Sequence, residues 1–303
     1  MDLLKQYFEE KTKEIETSIN LALKDKLTEV NKLLEELKNN VKLPVIQFKT
    51  DTGTKTELKH KSFNTLAKVI LSTKRTQKNI LLVGEAGAGK SKLVEQVANY
   101  AGLDFYPMSI GNQTTKSDLM GYVNINGEYV TTPVRQAFEN GGVLLLDEID
   151  CGNANTLTIL NNLLSNNIIC FPDGKATKSN KFIVICTANT YGKGATFDYV
   201  GRNKLDGATL DRFIVIEVEY DETIEKTICD NANYYEVIKH LRENAKNYDL
   251  KFIISPRAVF NGADLLDGGF TLKEVLEMVV FKGASDDIKN KLLEGITLPE
   301  EVA

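Results

Sequence analysis

Hydrophobic positions along the chain change their spacing twice, and the changes divide it into three regions. From Ile15 to Val41 apolar residues recur at Ile15, Ile19, Leu23, Leu27, Val30, Leu34, Leu37 and Val41, intervals of three and four that line one helical face. The stripe predicts an amphipathic helix of several turns, suited equally to a coiled-coil seam and to docking on its own domain. Pro44 ends it. Val45 to Lys59 then reads as a short hairpin turning at Asp51-Thr52-Gly53, and Phe63 to Leu71 as a helix leading into the core.

Beyond this the pattern becomes short, continuous apolar runs separated by helical stretches: Ile80–Val83, Phe105–Met108, Val143–Leu146, Phe182–Cys186 and Phe213–Val218. Runs of that length, apolar at every position, are strands covered on both faces, and their alternation with helices predicts a parallel five-stranded α/β sheet. From Asp221 onward only helical periodicity remains, around Tyr234–Asn247, Pro256–Leu266, Thr271–Phe281 and Asp286–Leu293. The expected organisation is an N-terminal helix over 1–43, a large α/β domain over 44–220 and a small α-helical domain over 221–303.

Composition narrows the setting without altering that outline. With 303 residues, 42% hydrophobic and 26% charged, the chain can bury a real core and is neither disordered nor fibrous. Its formal charge of −5 gives no global positive field for polyanions, so nucleic acid is not indicated as a partner. The basic run over Lys55–Lys78 lacks interleaved aromatics and reads as a solvated face. No apolar run approaches the roughly 20 residues of a membrane span, and the charged start MDLLKQYFEEKTKE is unlike a signal peptide, so a cytoplasmic protein is expected. Cys151, Cys170, Cys186 and Cys229 show no CxxC spacing, which suits a reducing compartment, and with only His60 and His240 a Cys/His metal centre is not expected. His60 reads as a structural residue or a pocket neighbour.

The chemistry is concentrated at the ends of the apolar runs. Gly84, Glu85, Ala86, Gly87, Ala88, Gly89, Lys90 and Ser91 fit GxxxxGK[ST] directly after the run Ile80–Val83. The glycines let consecutive N–H groups turn onto phosphate oxygens, and the helix beginning near Lys90, with Lys92 in its first turn, adds its positive end. Lys90 is expected on the β and γ phosphates and the Ser91 hydroxyl on Mg²⁺. The run Val143–Leu146 delivers two carboxylates: Asp147 for the Mg²⁺ shell and Glu148 to polarise a water for attack on the γ phosphate. Asn189, at the end of Phe182–Cys186, would position that water if its strand lies between the other two. Arg212, in Leu210-Asp211-Arg212-Phe213, and Arg257, in Ser255-Pro256-Arg257, are two further cations able to meet the γ phosphate.

In order and spacing these segments resemble the AAA+ ATPases, and within them the group with an insertion in the second helix that includes MoxR-type and CobS-type proteins, midasin and the dynein motor. GEAGAGKS is similar to Walker A, LLLDEID to Walker B, TANT to sensor 1, LDRF to the arginine-finger position and SPRA to sensor 2. Between them, Ser117–Gly121, the stretch Tyr122–Thr132 and Pro133–Phe138 resemble a helix interrupted by a hairpin tipped at Asn126-Gly127. The resemblance runs from about Lys61 to the last helix. It implies a P-loop NTPase fold with a helical lid, ATP and Mg²⁺ as ligands, and a homo-oligomeric ring, usually of six. In such a ring the finger acts on the neighbouring subunit, with Arg212 the expected finger and Arg202 its competitor. It also implies remodelling or maturation of a protein client, with a von Willebrand A-type partner in MoxR-type systems. The hairpin with Tyr122 and Tyr129 and a loop over Phe171–Lys178 would face the pore or client. Two other readings remain: a nucleic-acid motor or McrB-like restriction NTPase, and a nucleotide-gated assembly module with little turnover. The Lys-rich, Arg-poor composition suits an AT-rich bacterium or its phage.

Overall fold

The computed structural model describes residues 47–50, 53–56, 58–72, 79–196 and 199–296, together with Lys26. The expected helix over Ile15–Val41 therefore lies, apart from Lys26, outside the described residues. The chain divides into two compact units between Glu57 and Leu58. In the first, β1 (Gln47–Thr50) pairs antiparallel with β2 (Gly53–Thr56), and because Thr50 faces Gly53 the glycine belongs to the strand rather than to the turn expected there.

The second unit opens with α1 (Phe63–Leu71) and is built on five strands: β3 (Asn79–Val83), β4 (Phe105–Ser109), β7 (Gly142–Asp147), β10 (Phe182–Ala188) and β11 (Phe213–Glu217). Their order is β11-β3-β10-β7-β4, and every pairing is parallel. All five residues of β3 and all seven of β10 are buried, which explains why the apolar runs carry no alternation. Leu81, Leu144, Leu146, Val184 and Phe138 meet in one core cluster that α4 (Pro133–Asn140) and α5 (Ala154–Ser165) cover.

Register decides where the chemistry sits. Ala188 lies opposite Val83, and one step beyond the pair Cys186–Leu146 brings Thr187 alongside Asp147. The central strands thus end level, so Gly84, Glu148 and Asn189 all leave the sheet at the same edge. Crossovers in open parallel sheets place ligand crevices there.

Two small hairpins flank the sheet. α3 (Lys116–Met120), β5 (Tyr122–Val123), β6 (Tyr129–Val130) and α4 form the interrupted helix anticipated from sequence, with Gly127 at φ +79° in the turn. The expected loop over Phe171–Lys178 is instead half of a second hairpin, β8 (Ile168–Phe171) paired with β9 (Gly174–Thr177). Ile169, Phe171 and Ala176 are its buried positions, and that alternation over only a few residues is what holds it as strand.

After the short α6 (Gly207–Leu210) and β11, the chain is helical: α7 (Glu222–Ile228), α8 (Ala232–Asn247), α9 (Pro256–Asp267), α10 (Leu272–Val279) and α11 (Asp286–Leu293). These helices share their own apolar cluster around Tyr234, Ile238, Val259 and Leu276. Tyr234 Oη donates to Ala258 O at 2.7 Å, and a Cβ on Gly262 would stand 1.8 Å from that hydroxyl, so α9 crosses α8 at a point only glycine permits. Among the described residues no helix is long and apolar enough to cross a membrane.

Candidate functional site

The loop from Gly84 to Gly89 turns out of β3 into α2 (Lys90–Tyr100). A Cβ at Gly84 would lie 2.0 Å from Val218 O, so the loop can leave the strand here only without a side chain. Gly87 and Gly89 hold φ of +84° and +77°, the left-handed turns that aim successive amides inward. Leu93 N–H bonds back to Gly89 O at 2.8 Å, so the amides of Lys90 and Ser91 precede the first helical hydrogen bond of α2. That arrangement suits an anion. The Lys92 side chain is turned to Glu95 at 2.9 Å on the surface of α2.

Lys90 is buried, and its Nζ donates to Gly84 O at 2.7 Å, Glu85 O at 2.9 Å and Asn189 Oδ1 at 2.8 Å. Burial pushes its pKa down to about 8, against the opposing pull of Asp147, Asp150 and Glu148. Ser91 Oγ donates to Asp147 Oδ2 at 2.8 Å, and Thr187 Oγ1 donates to the other oxygen of the same carboxylate. A hydroxyl and a carboxylate in contact, with a recess of about 260 Å³ beside them, form a hard oxygen donor pair suited to Mg²⁺.

Glu148 stands just past β7 with φ 58° and ψ 45°, a left-handed conformation rare for a residue with a side chain. Its amide donates to Thr187 Oγ1 at 2.9 Å, so the strained turn is tied to the neighbouring strand, and its side chain is half exposed at the sheet edge. Strain of this kind persists where the surroundings over-determine it.

Behind Glu148 lies Asp150, fully buried, whose Oδ2 accepts from Asn189 N, Thr190 N and Thr190 Oγ1 at 3.0–3.1 Å. Its other oxygen accepts from Arg202 Nη1 at 3.1 Å, while Arg202 Nη2 reaches Glu148 Oε1 at 3.3 Å. Arg202 is therefore held on the acids of its own chain. Two tyrosines grip Ala86 of the loop: its N–H donates to Tyr199 Oη at 3.0 Å, and Tyr220 Oη donates to its carbonyl at 3.2 Å. Tyr220 in turn carries the Arg242 guanidinium over its ring at 5.2 Å, and Arg242 bonds the buried Glu225 through both nitrogens.

The lid meets the loop directly. Ser255, just before α9, lies against Gly87 closely enough that a Cβ there would stand 3.2 Å from its own Cβ, and Arg257 is exposed on the first turn of α9. His60 sits within 4.0 Å of where a Gly89 Cβ would be. Its Nδ1 accepts from Ser62 N–H at 3.1 Å, which leaves Nε2 as the donor to Glu219 O, also at 3.1 Å. Burial lowers its pKa, Asp221 opposing.

Lys90, Ser91, Asp147, Glu148 and Asn189 thus converge at one sheet edge. Arg212 does not join them. It precedes Phe213, which pairs with Asn79 at the opposite end of the strands, and its exposed guanidinium donates to Ser165 Oγ at 2.8 Å and to Ala208 O. Sequence reasoning gave no role to Asp150, Thr187, Tyr199 or Tyr220. The first two lie inside the motifs LLLDEID and TANT, whereas nothing local marks the tyrosines.

With this geometry in view, residues 79–213 match the AAA domain family, dynein-related subfamily. Over 154 residues the chain is 32% identical to the uncharacterized protein YojN of Bacillus subtilis (strain 168), covering 47% of this chain and 48% of that protein. An uncharacterized protein of Staphylococcus epidermidis (strain ATCC 12228 / FDA PCI 1200) is 33% identical over 164 residues, covering 50% and 59% respectively. The chain spans about half the length of these curated relatives. Among solved structures, the crystal structure of NtrX from Brucella abortus aligns at 15% identity with a TM-score of 0.46, covering 93% of this chain and 63% of that one.

Proposed function

We propose that this chain, with an AAA-type domain over residues 79–213, is a Mg²⁺-dependent ATPase that works in a ring of its own copies to remodel or mature a protein client. The observation that carries the hydrolytic part is the convergence of Lys90, Ser91, Asp147, Glu148 and Asn189 at the level ends of three adjacent strands. The amides of Gly87 to Ser91 and the Lys90 ammonium bind the phosphates. Mg²⁺, held through Ser91 and Asp147, would neutralise charge on the phosphate oxygens. Glu148 takes the proton of the attacking water, and Asn189 orients that water from the neighbouring strand. Arg212 lies too far along the strands to serve its own site, so its role toward nucleotide is on a neighbouring subunit.

Glu148→Gln should leave nucleotide binding intact and lower turnover about 10²- to 10⁴-fold, whereas Lys90→Ala should lose binding. A Glu148→Gln protein hydrolysing ATP at the normal rate removes the water-activating assignment. The client and a von Willebrand A-type partner rest on the resemblance to MoxR-type proteins, and capture by the Glu148→Gln protein is the test for either. The second reading, a nucleotide-gated assembly module with little turnover, draws support from one observation, the Arg202 guanidinium seated on Glu148.

A further inference from the structure

We propose that Tyr199–Asn203 is a strap that competes with nucleotide for its site: Tyr199 fills an amide of the phosphate loop, Arg202 masks the water-activating carboxylate, and incoming triphosphate displaces both contacts. The proposal rests on the ATPase reading above and adds a regulatory device to the same site.

Two contacts of the strap use groups that catalysis needs elsewhere. The Ala86 N–H belongs to the loop whose amides receive phosphate, and the Tyr199 hydroxyl oxygen accepts its hydrogen bond at 3.0 Å, in the manner of a phosphate oxygen. A carboxylate oxygen that accepts from a guanidinium has fewer lone pairs left for water, and Glu148 accepts from Arg202 at 3.3 Å. The two contacts are joined, because the Arg202 guanidinium lies 5.9 Å from the Tyr199 ring centre. Asn203 fastens the far end: its amide nitrogen donates to Gly152 O at 2.9 Å and its backbone N–H to Asp150 O at 2.7 Å.

Arg202 is fastened to the buried Asp150 at 3.1 Å, whereas the stretch between it and Tyr199 has no apolar anchor. Val200 is 79% exposed, and a Cβ on Gly201 would meet nothing within 4 Å. The Tyr199–Gly201 stretch, without apolar burial, can therefore move while Arg202 Nη1 stays on Asp150. Phosphate oxygens carry full charge and outcompete a neutral phenol for an amide, because charge-assisted hydrogen bonds are roughly twice as strong. Once Tyr199 leaves, Arg202 exchanges Glu148 for the more highly charged phosphate, and Glu148 becomes free to take a proton from water. Tyr220 does not compete in this way, since it donates to the Ala86 carbonyl rather than accepting from the amide.

The test compares Tyr199→Phe, Val200→Ala and Lys90→Ala with the natural chain, using a fluorescent ATP analogue with Mg²⁺. Tyr199→Phe keeps the ring and removes the competing hydroxyl, so its Kd should fall about fivefold, the worth of one ordinary hydrogen bond. Val200→Ala, altering a strap side chain that faces solvent, should bind like the natural chain. In the Glu148→Gln background, hydrogen exchange across 199–203 should rise on addition of MgATP. A Tyr199→Phe protein that binds no more tightly than the natural chain overturns the strap. Lys90→Ala binding as well as the natural chain overturns the nucleotide site itself, so the two failures are told apart.

Discussion

Lys90 is surrounded by protein oxygens that solvate it imperfectly. Its pKa of about 8 is set first by burial and then moderated by Asp147, Asp150 and Glu148. The folded chain therefore holds this proton less tightly than the unfolded chain, where the value is 10.5. The stability linked to Lys90 is accordingly full above 10.5 and lost as pH falls through about 8. Bound phosphate reverses the preference by favouring the ammonium. ATP binding at pH 9 should then draw in about one proton, whereas binding at pH 7 should draw in almost none. Calorimetry in two buffers of different ionisation heat measures this directly, and equal enthalpies at pH 9 would refute it.

The residues that sequence alone made legible are those whose motif is contiguous, because a glycine-rich loop or an acid pair after a strand states its chemistry within eight positions. Asp150 was not legible in that way. It is one acid among several in LLLDEID, and its three donors from Asn189 and Thr190 appear only once β10 is known to lie beside β7. Order along the chain likewise does not reveal that Arg202 folds back onto Glu148 and Asp150.

At the scale of elements, the five strands were readable because both faces of each are covered, so hydrophobicity is continuous and needs no partner to interpret. The segment Phe171–Lys178, which holds β9, reads as a loop for the opposite reason. The strands of the β8–β9 hairpin have four residues each, with polar Lys175 and Thr177 alternating against Ala176, and such a short alternation is indistinguishable from a polar loop until Ile169 and Phe171 are seen to be buried. The α8–α9 crossing makes a sharper prediction. Gly262→Ala would drive a methyl into the Tyr234 ring and hydroxyl, so the helical cluster should lose about 1–3 kcal/mol through overpacking. Thermal unfolding measures the loss, and in a Tyr234→Ala background, itself destabilised by its cavity, adding Gly262→Ala should cost little more because the clash is gone. A Gly262→Ala chain as stable as the original would mean that the two helices are free to separate.

At the scale of the whole molecule, the finger assignment becomes a question about more than one copy. Arg212 stands at the end of β11 away from the phosphate loop, exposed, beyond the reach of the site on its own chain. Arg212→Ala alone should lower ATP turnover about 10³- to 10⁵-fold. Mixing it with a Glu148→Gln chain should restore part of the activity, since each variant supplies what the other lacks at a shared boundary. Turnover of such mixtures, followed against mixing ratio, decides the matter. No recovery at any ratio would refute Arg212 as a group acting between subunits.

Ala86 has no functional group of its own, yet the two peptide units on either side of its Cα are each gripped, one by Tyr199 at the Ala86 nitrogen and the next by Tyr220 at the Ala86 oxygen. Tyr220 leads through Arg242 to the buried Glu225 of the helical region. A change in the backbone dihedrals at Ala86, which set these two amide planes against each other, would be registered both at the catalytic acids and among the lid helices, which makes the least reactive position of the loop its mechanical relay.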